Sequence, residues 1–551
     1  MGCRVGLGSF ERLPIGGKGD SAPVTDVSAE VGLILGLLVA MTALVGLAGR
    51  LSLPAPIVLV VGGLAIGFVP GLPDIALDPD LVLFVLLPPL LLSAAYTTSL
   101  RDVRTYAWPI ASLSIGLVVA TICAVAVMAH AVIPGMGWPV AFALGAIVAP
   151  PDAVAATSIT SRLGVPRRLA VILEGESLVN DATALTTYRI AVAAAIAAGG
   201  SAFSLIDAGR DFLVAGAGGV LLGWAIAHGM LRLNRVIEDP GIAITVSFLA
   251  PYAAYLVADE AGTSGVIAVV VYGLIQGWRD DSLAVRVRVQ GTVIWSQVTF
   301  LLTGLVFVLI GLQLPGILDG ITEQSIPALL GYAALVSATV VAVRIVWNAV
   351  IPWVVRPITR NFYAALSWPE LTVVGWAGMR GVVTLAAALA LPLTTDDGAP
   401  FPQRDLVIFL AFSVILTTLI VQGLTLPLVI RRLGVTGDDG EERVRNKANI
   451  VALRAALDRL DELEGDGAAG DAVDDIRSHY ENRLRVYRDG FKGRSDPDAT
   501  RRHKDFGQLK TELIRAEADA ISRLRDEEYF SDDILREIRR DLDLERLRLD
   551  G

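Results

Sequence analysis

Charge is placed very unevenly along this chain. Of its 102 Asp, Glu, Lys and Arg residues, 55 fall in the last 121 positions, leaving 47 for the first 430. That long first part is a series of apolar stretches of about 20 residues, the length that crosses a bilayer as a helix. The whole-chain averages, 54% apolar and 19% charged, hide this contrast, since a soluble domain carries roughly 25% charged residues. The pattern excludes a single soluble globular protein, a disordered chain and a disulfide scaffold. Two cysteines, Cys3 and Cys123, supply neither a disulfide framework nor a cysteine-based metal site. A net charge of −10 is not the electrostatic footprint of a nucleic-acid binder. Residues 1–27 are polar and Gly-rich, without the apolar core of a cleaved signal peptide.

About thirteen spans are expected, with cores at 29–49, 52–70, 81–96, 106–133, 138–159, 169–198, 211–231, 241–258, 263–277, 293–314, 327–355, 368–391 and 405–430. Loops alternate in arginine content. One set carries Arg50, Arg101, Arg104, Arg162, Arg167, Arg168, Arg232, Arg235, Arg279, Arg286, Arg288, Arg356 and Arg360, and the other only Arg210 and Arg404. This positive-inside bias puts the C-terminal tail in the cytoplasm and, with an odd span count, the N-terminus outside. Arg4, Arg12 and Lys18 run against that placement.

Charges inside a membrane are costly, so those that persist point to function. In the fifth span Pro150 and Pro151 remove two backbone donors and break the helix just before Asp152. A carboxylate beside freed carbonyls suits a hard monovalent cation or a proton. Thr157 lies one turn further on. The sixth span holds Glu174, Glu176, Ser177, Asn180 and Asp181. Ser177 stands i,i+3 to Asn180 and i,i+4 to Asp181, so three oxygen-bearing side chains share a helix face. Asp181 is the principal candidate, and Glu176 is either a ligand or the partner of an intramembrane arginine. In the twelfth span Gly375, Gly378 and Gly381 surround Arg380, which needs a buried carboxylate partner, Glu176 or Asp181. Glycines permit an unwound helix. The fifth and twelfth spans are seven apart and oppositely directed, the mark of inverted repeats in a secondary transporter. Glu260, Arg189, Glu370 and Arg344 are less decisive, and Arg344 is expected to pair structurally. His130 and His228 near span ends read as packing residues. No GxxxxGK[ST] or HExxH motif is present, so ATP-driven transport by this chain alone is not expected.

Four blocks, Phe84–Ala95 with Pro88 and Pro89, Pro150–Ala156, Leu173–Thr183 and Gly375–Leu385, resemble the bacterial sodium/proton exchangers of the monovalent cation:proton antiporter-1 family, over about residues 30–432. The resemblance implies one site, alternately holding cation or proton, built from Asp152, Asn180 and Asp181 with Ser177 as an extra oxygen ligand. Asp152 and Asp181 would bind the metal cation. It also implies a structural ion pair between Glu176 and Arg380, electroneutral one-for-one exchange from the Asn-Asp form, and a homodimer with a dimerisation domain and a moving six-helix core. Where some relatives carry Thr and Glu this chain has Pro151 and Ser93, which leaves Na⁺, K⁺ and Li⁺ open. Pro151, Ser93, Thr157, Glu174 and Glu260 are expected behind the site or on the way to it.

The expected protein is therefore an all-α polytopic membrane protein with inverted repeats, two broken helices and a helical cytoplasmic tail. Residues 1–27 form a polar N-terminus, 28–432 the transmembrane domain and 433–551 the tail, with helices over 443–465 and 508–548 and breaks at 466–475 and 489–500. The expected function is exchange of a monovalent cation for H⁺ in a bacterial inner membrane, for pH and cation homeostasis. It needs no enzyme chemistry, cofactor or nucleic acid. A cation channel or a transporter of another solute are the alternatives.

Overall fold

The computed structural model describes residues 24–70, 81–197, 205–279, 283–319, 324–355, 366–435, 439–465 and 471–491, with a few positions between 512 and 520. Most of the polar N-terminus, Arg356, Arg360 and nearly all of the 508–548 segment lie outside the described residues, as does 492–500 of the break expected at 489–500, whose first residues, 489–491, are helical instead. The chain divides into two compact units, Met1–Thr436 and Gly437–Gly551.

Among its described residues the regular elements of the first unit are all helices, apart from a single β-bridge between Thr394 and Pro400. It begins with α1 (Val24–Leu51) and α2 (Ala55–Gly67), then a π-helical turn (Leu81–Leu86) entering α3 (Leu87–Thr97). After α4 (Leu100–Thr105), α5 (Ala107–Ala111) runs through a π-helical stretch (Ser112–Leu117) into α6 (Val118–Val132). Next come α7 (Trp138–Val148), α8 (Ala153–Thr160), α9 (Arg167–Ile196), α10 (Leu205–Leu233), α11 (Pro240–Glu260), α12 (Gly265–Trp278) and α13 (Val285–Leu312). The unit ends with α14 (Leu314–Asp319), α15 (Ile326–Val355), α16 (Trp368–Trp376), α17 (Val382–Leu389), α18 (Arg404–Thr417), a π-helical turn (Thr418–Gln422) and α19 (Gly423–Leu433).

Helix starts follow the local sequence. Asp239 and Ser264 accept from the backbone N–H of Ile242 and Ile267 at 2.9 and 3.3 Å, capping α11 and α12. Helix occupies each of the thirteen expected ranges. Among the described residues eight segments, some of them joining two consecutive helices, are long and apolar enough to cross a membrane, and Ala55–Gly67, Phe84–Thr97 and Gly265–Trp278 are shorter apolar helices. The remaining two ranges differ for physical reasons: α9 is long enough but carries several charges, and α16 and α17 are separated by a non-helical stretch.

Two layers of burial organise the unit. In the apolar stretches of Trp138–Thr160 and Arg404–Leu433, 72% of the residues are buried within the protein, against 17% in that of Val31–Leu51. The α7–α8 and α18–α19 pairs are thus central, and α1 turns Ile34, Leu35 and Val39 outward, as a lipid-facing helix does. Close backbone packing joins α2 to α13: a Cβ at Gly63 would meet the Val308 carbonyl, and one at Gly311 the Val60 carbonyl, the small-residue contact of membrane helices.

The two broken helices run in opposite directions. Gln403, beyond the end of α17, donates to the Pro134 carbonyl before the start of α7 at 2.8 Å. At the other end Arg168, opening α9, meets Glu370 of α16 at 2.6 Å. So α7 and α17 share one end of the bundle, and α8 and α16 the other.

In the second unit α20 (Asp439–Gly465) packs on α21 (Asp471–Phe491) through Ile450, Leu453 and Leu484. Arg477 of α21 reaches Asp461 and Glu464 of α20 at 2.5 and 2.7 Å. Residues 471–475 of the break expected at 466–475 are helical, and 466–470 lie outside the described residues.

Candidate functional site

The breaks in the two interrupted helices meet. The Asp152 N–H donates to the Met379 carbonyl at 2.7 Å. Pro150 and Pro151 explain the first break, since neither offers an N–H to the α7 ladder. Glycine explains the second: a Cβ at Gly381 would occupy the place of the Asp152 carboxylate. At this crossing α8 and α17 both begin, and α7 and α16 both end. Partial positive charge from two helix starts therefore gathers on one side and partial negative charge from two helix ends on the other.

Asp152 sits on the positive side. Its Oδ1 caps α8, accepting from the Val154 N–H at 2.8 Å. Its Oδ2 is buried and has no hydrogen-bond partner. α9 runs alongside. Asn180 is fully buried and donates its amide to the Pro151 carbonyl at 2.9 Å, satisfying one group freed by the break, while its Oδ1 is unpartnered. Ser177 Oγ accepts from the Ala153 N–H at 3.4 Å. Ser177, Asp181 and Asp152 line one cavity of about 290 Å³, far larger than the ~15 Å³ a single water needs. Pro151, Thr157, Glu174 and Ser93 also line it. From Asp152 and Asp181 it extends along α3 to Thr97, along α8 to Thr157 and back along α9 to Glu174, toward the end that carries Arg167 and Arg168.

Arg380 stands on the negative side. It is 1% exposed, and its guanidinium donates to the carbonyls of Val148 (3.0 Å), Ala149 (3.2 Å) and Gly378. Its own N–H donates to Thr418 Oγ1 at 3.0 Å. The expected Glu176–Arg380 ion pair does not form. Glu176 instead takes Arg344 of α15 in a two-pronged pair at 2.5 and 2.7 Å, and Arg344 Nε adds the Val374 carbonyl at 3.1 Å. The physical reason is that broken helix ends expose several carbonyls at one point, and these hold a guanidinium without a carboxylate. Arg344 therefore has the structural role expected of it.

Other charged residues resolve simply. Glu370 closes a capping box with Ser367 and binds Arg168. Arg189 pairs with Asp259 at 2.8 Å. Glu260 is exposed at the end of α11 and is not among the cavity-lining residues. His130 stacks on Trp138 at 4.1 Å, and His228 bonds the Trp224 carbonyl. Sequence reasoning missed the hydroxyls that complete the cavity wall: Thr384 of α17 and Thr299 and Thr303 of α13. Thr299 donates to Ser93 Oγ at 3.0 Å. A lone threonine in an apolar span gives no periodic signal, so only the packing reveals them.

Three comparisons bear on this arrangement. A family model described as "Sodium/hydrogen exchanger, transmembrane" matches residues 36–432. An uncharacterized Na(+)/H(+) exchanger of Mycobacterium tuberculosis is 35% identical over 538 residues, covering 94% of this chain and 97% of the relative. A sodium, potassium, lithium and rubidium/H(+) antiporter of Bacillus pumilus is 32% identical over 438 residues, 74% of this chain and 63% of that one. Among solved structures, the sodium proton antiporter MjNhaP1 of Methanocaldococcus jannaschii superposes with a TM-score of 0.58 at 19% identity, over 74% of this chain and 99% of that one. This last likeness is one of fold.

Proposed function

The chain belongs to the sodium/hydrogen exchanger family, and on that premise we propose that it is a secondary antiporter passing a monovalent cation and H⁺ in opposite directions through the site at the crossed helices. One observation carries the reading. Two carboxylates from different helices, Asp152 and Asp181, face a single cavity at the point where both broken helices are unwound. An ionised carboxylate enclosed in protein requires a compensating charge. A proton or a cation supplies it, and occupancy by one excludes the other. Alternating exposure of such a site couples the two fluxes, and an inward proton gradient drives cation out.

Ser177 contributes a hydroxyl oxygen, and Asn180 holds the break open through Pro151. Glu176 with Arg344, and Arg380 with the freed carbonyls, keep the crossing rigid without carrying substrate. Asn180 is neutral at every pH and its amide is committed to backbone, which favours one-for-one, electroneutral exchange. Na⁺ is the preferred cation in this reading, with K⁺ and Li⁺ as alternatives. A homodimer in a bacterial cell membrane, with the arginine-rich ends and the tail in the cytoplasm, belongs to the same proposal. The cavity then faces the cytoplasm.

Everted vesicles carrying a pH dye test the function, with Na⁺, K⁺ and Li⁺ added in turn under a clamped membrane potential. The expected result is cation-dependent proton movement unaffected by the clamp and abolished in Asp181→Asn, which still inserts. A clamp-dependent current without proton exchange supports a channel. Normal exchange by Asp181→Asn overturns the site.

A further inference from the structure

Thr384 carries a hydroxyl that its own helix cannot satisfy. Elsewhere in the bundle threonines donate to the carbonyl four residues back: Thr121 to Leu117, Thr186 to Ala182, Thr187 to Thr183 and Thr418 to Val414, all within 2.9 Å. Thr384 lies in the first turn of α17. Four residues back is Arg380, inside the non-helical stretch, and no aligned carbonyl is on offer there. The residue is 1% exposed and Oγ1 has no partner. It lines the same cavity as Asp152, Ser177 and Asp181. An unpaired buried hydroxyl is unfavourable unless something else uses its lone pairs.

We propose that Thr384 Oγ1 is a ligand of the transported cation, and that it serves the cation and not the proton. This rests on the exchange site argued above. A hydroxyl offers two acceptor lone pairs to a hard monovalent ion. It takes up no proton in the physiological range, so it stabilises the cation-loaded state alone. The cation is then held by oxygens from α8, α9 and α17, which ties both broken helices to one ion. Thr384 thereby sets how well a cation competes with H⁺, a role distinct from that of the carboxylates that bind either.

Half-saturating Na⁺, K⁺ and Li⁺ concentrations for exchange are measured in vesicles holding wild type, Thr384→Val and Thr384→Ser. Loss of one oxygen ligand to an ion is expected to raise half-saturating Na⁺ about tenfold in Thr384→Val. Maximal rate and the pH dependence of that concentration stay as in wild type. Thr384→Ser keeps the oxygen and stays within about twofold of wild type. Wild-type half-saturation in Thr384→Val overturns the proposal, as does an equal loss in Thr384→Ser. Should Thr384→Val fail to insert, Thr384→Ala is read against Thr384→Ser by the same criterion. Absence of exchange in wild type is a different failure, which removes the antiporter reading and this inference with it.

Discussion

Two fully buried arginines, Arg344 and Arg380, each 1% exposed, hold their charge in different ways. Arg344 has a carboxylate, Glu176, in two-pronged geometry. Arg380 has carbonyls from three residues at two helix ends. The difference sets what substitution does. Removing one member of a buried pair strands the other charge, at about 3–5 kcal/mol, whereas replacing both with apolar residues of similar volume is often close to neutral. Arg344→Met is therefore expected to lower the unfolding midpoint in detergent sharply, and Glu176→Leu combined with Arg344→Met to recover most of it. A double variant as damaged as the single one contradicts this. At this scale the sequence was partly legible. Asp152, Ser177 and Asp181 stood out because oxygen-bearing side chains are conspicuous in apolar spans and their spacing fixes a helix face. The partner of Glu176 was not legible, because spacing along α9 does not say whether α15 or the α16–α17 pair lies opposite. Thr384 was illegible for the same reason: the hydroxyl is notable only because an unwound turn precedes it.

Broken helices were the legible elements. Pro150 and Pro151 lack N–H groups and Gly375, Gly378 and Gly381 lack side chains, so both interruptions were written in residue types that act locally. That they cross, with Asp152 bonded to Met379, is a tertiary fact. The π-helical stretches at 81–86, 112–117 and 418–422 were not read from the sequence, although Pro88 and Pro89 free the Phe84 and Val85 carbonyls of the first, the latter accepting from Tyr252 at 3.0 Å. The crossing also decides how the cavity opens. Its walls on α3, α8 and α9 lie toward the end marked by Arg101, Arg167 and Arg168, with Thr97 exposed at the mouth. With Cys3 and Cys123 replaced by Ser, Thr97→Cys is expected to react with a membrane-impermeant maleimide added from the cytoplasmic side. Reaction only from the outer side contradicts the orientation.

Across the whole molecule, scarce charge and dense charge separate the chain into a bundle and a tail, and within the bundle the enclosed charges other than Glu370 gather at one crossing. Of these, Arg344, Glu176 and Arg380 are committed to one another or to backbone. Asp152 and Asp181 face the cavity and, in the proposed exchange, are the groups left to bind what passes through. The central claim is that cation and proton compete for these two carboxylates. It is tested most directly by measuring half-saturating Na⁺ for exchange as a function of pH, in vesicles with the opposite face held at fixed pH. Competition with one proton raises that concentration by up to about tenfold per pH unit as pH falls, because the linkage is one proton per cation, and leaves the rate at saturating Na⁺ unchanged. A half-saturating concentration that does not move with pH contradicts a shared site.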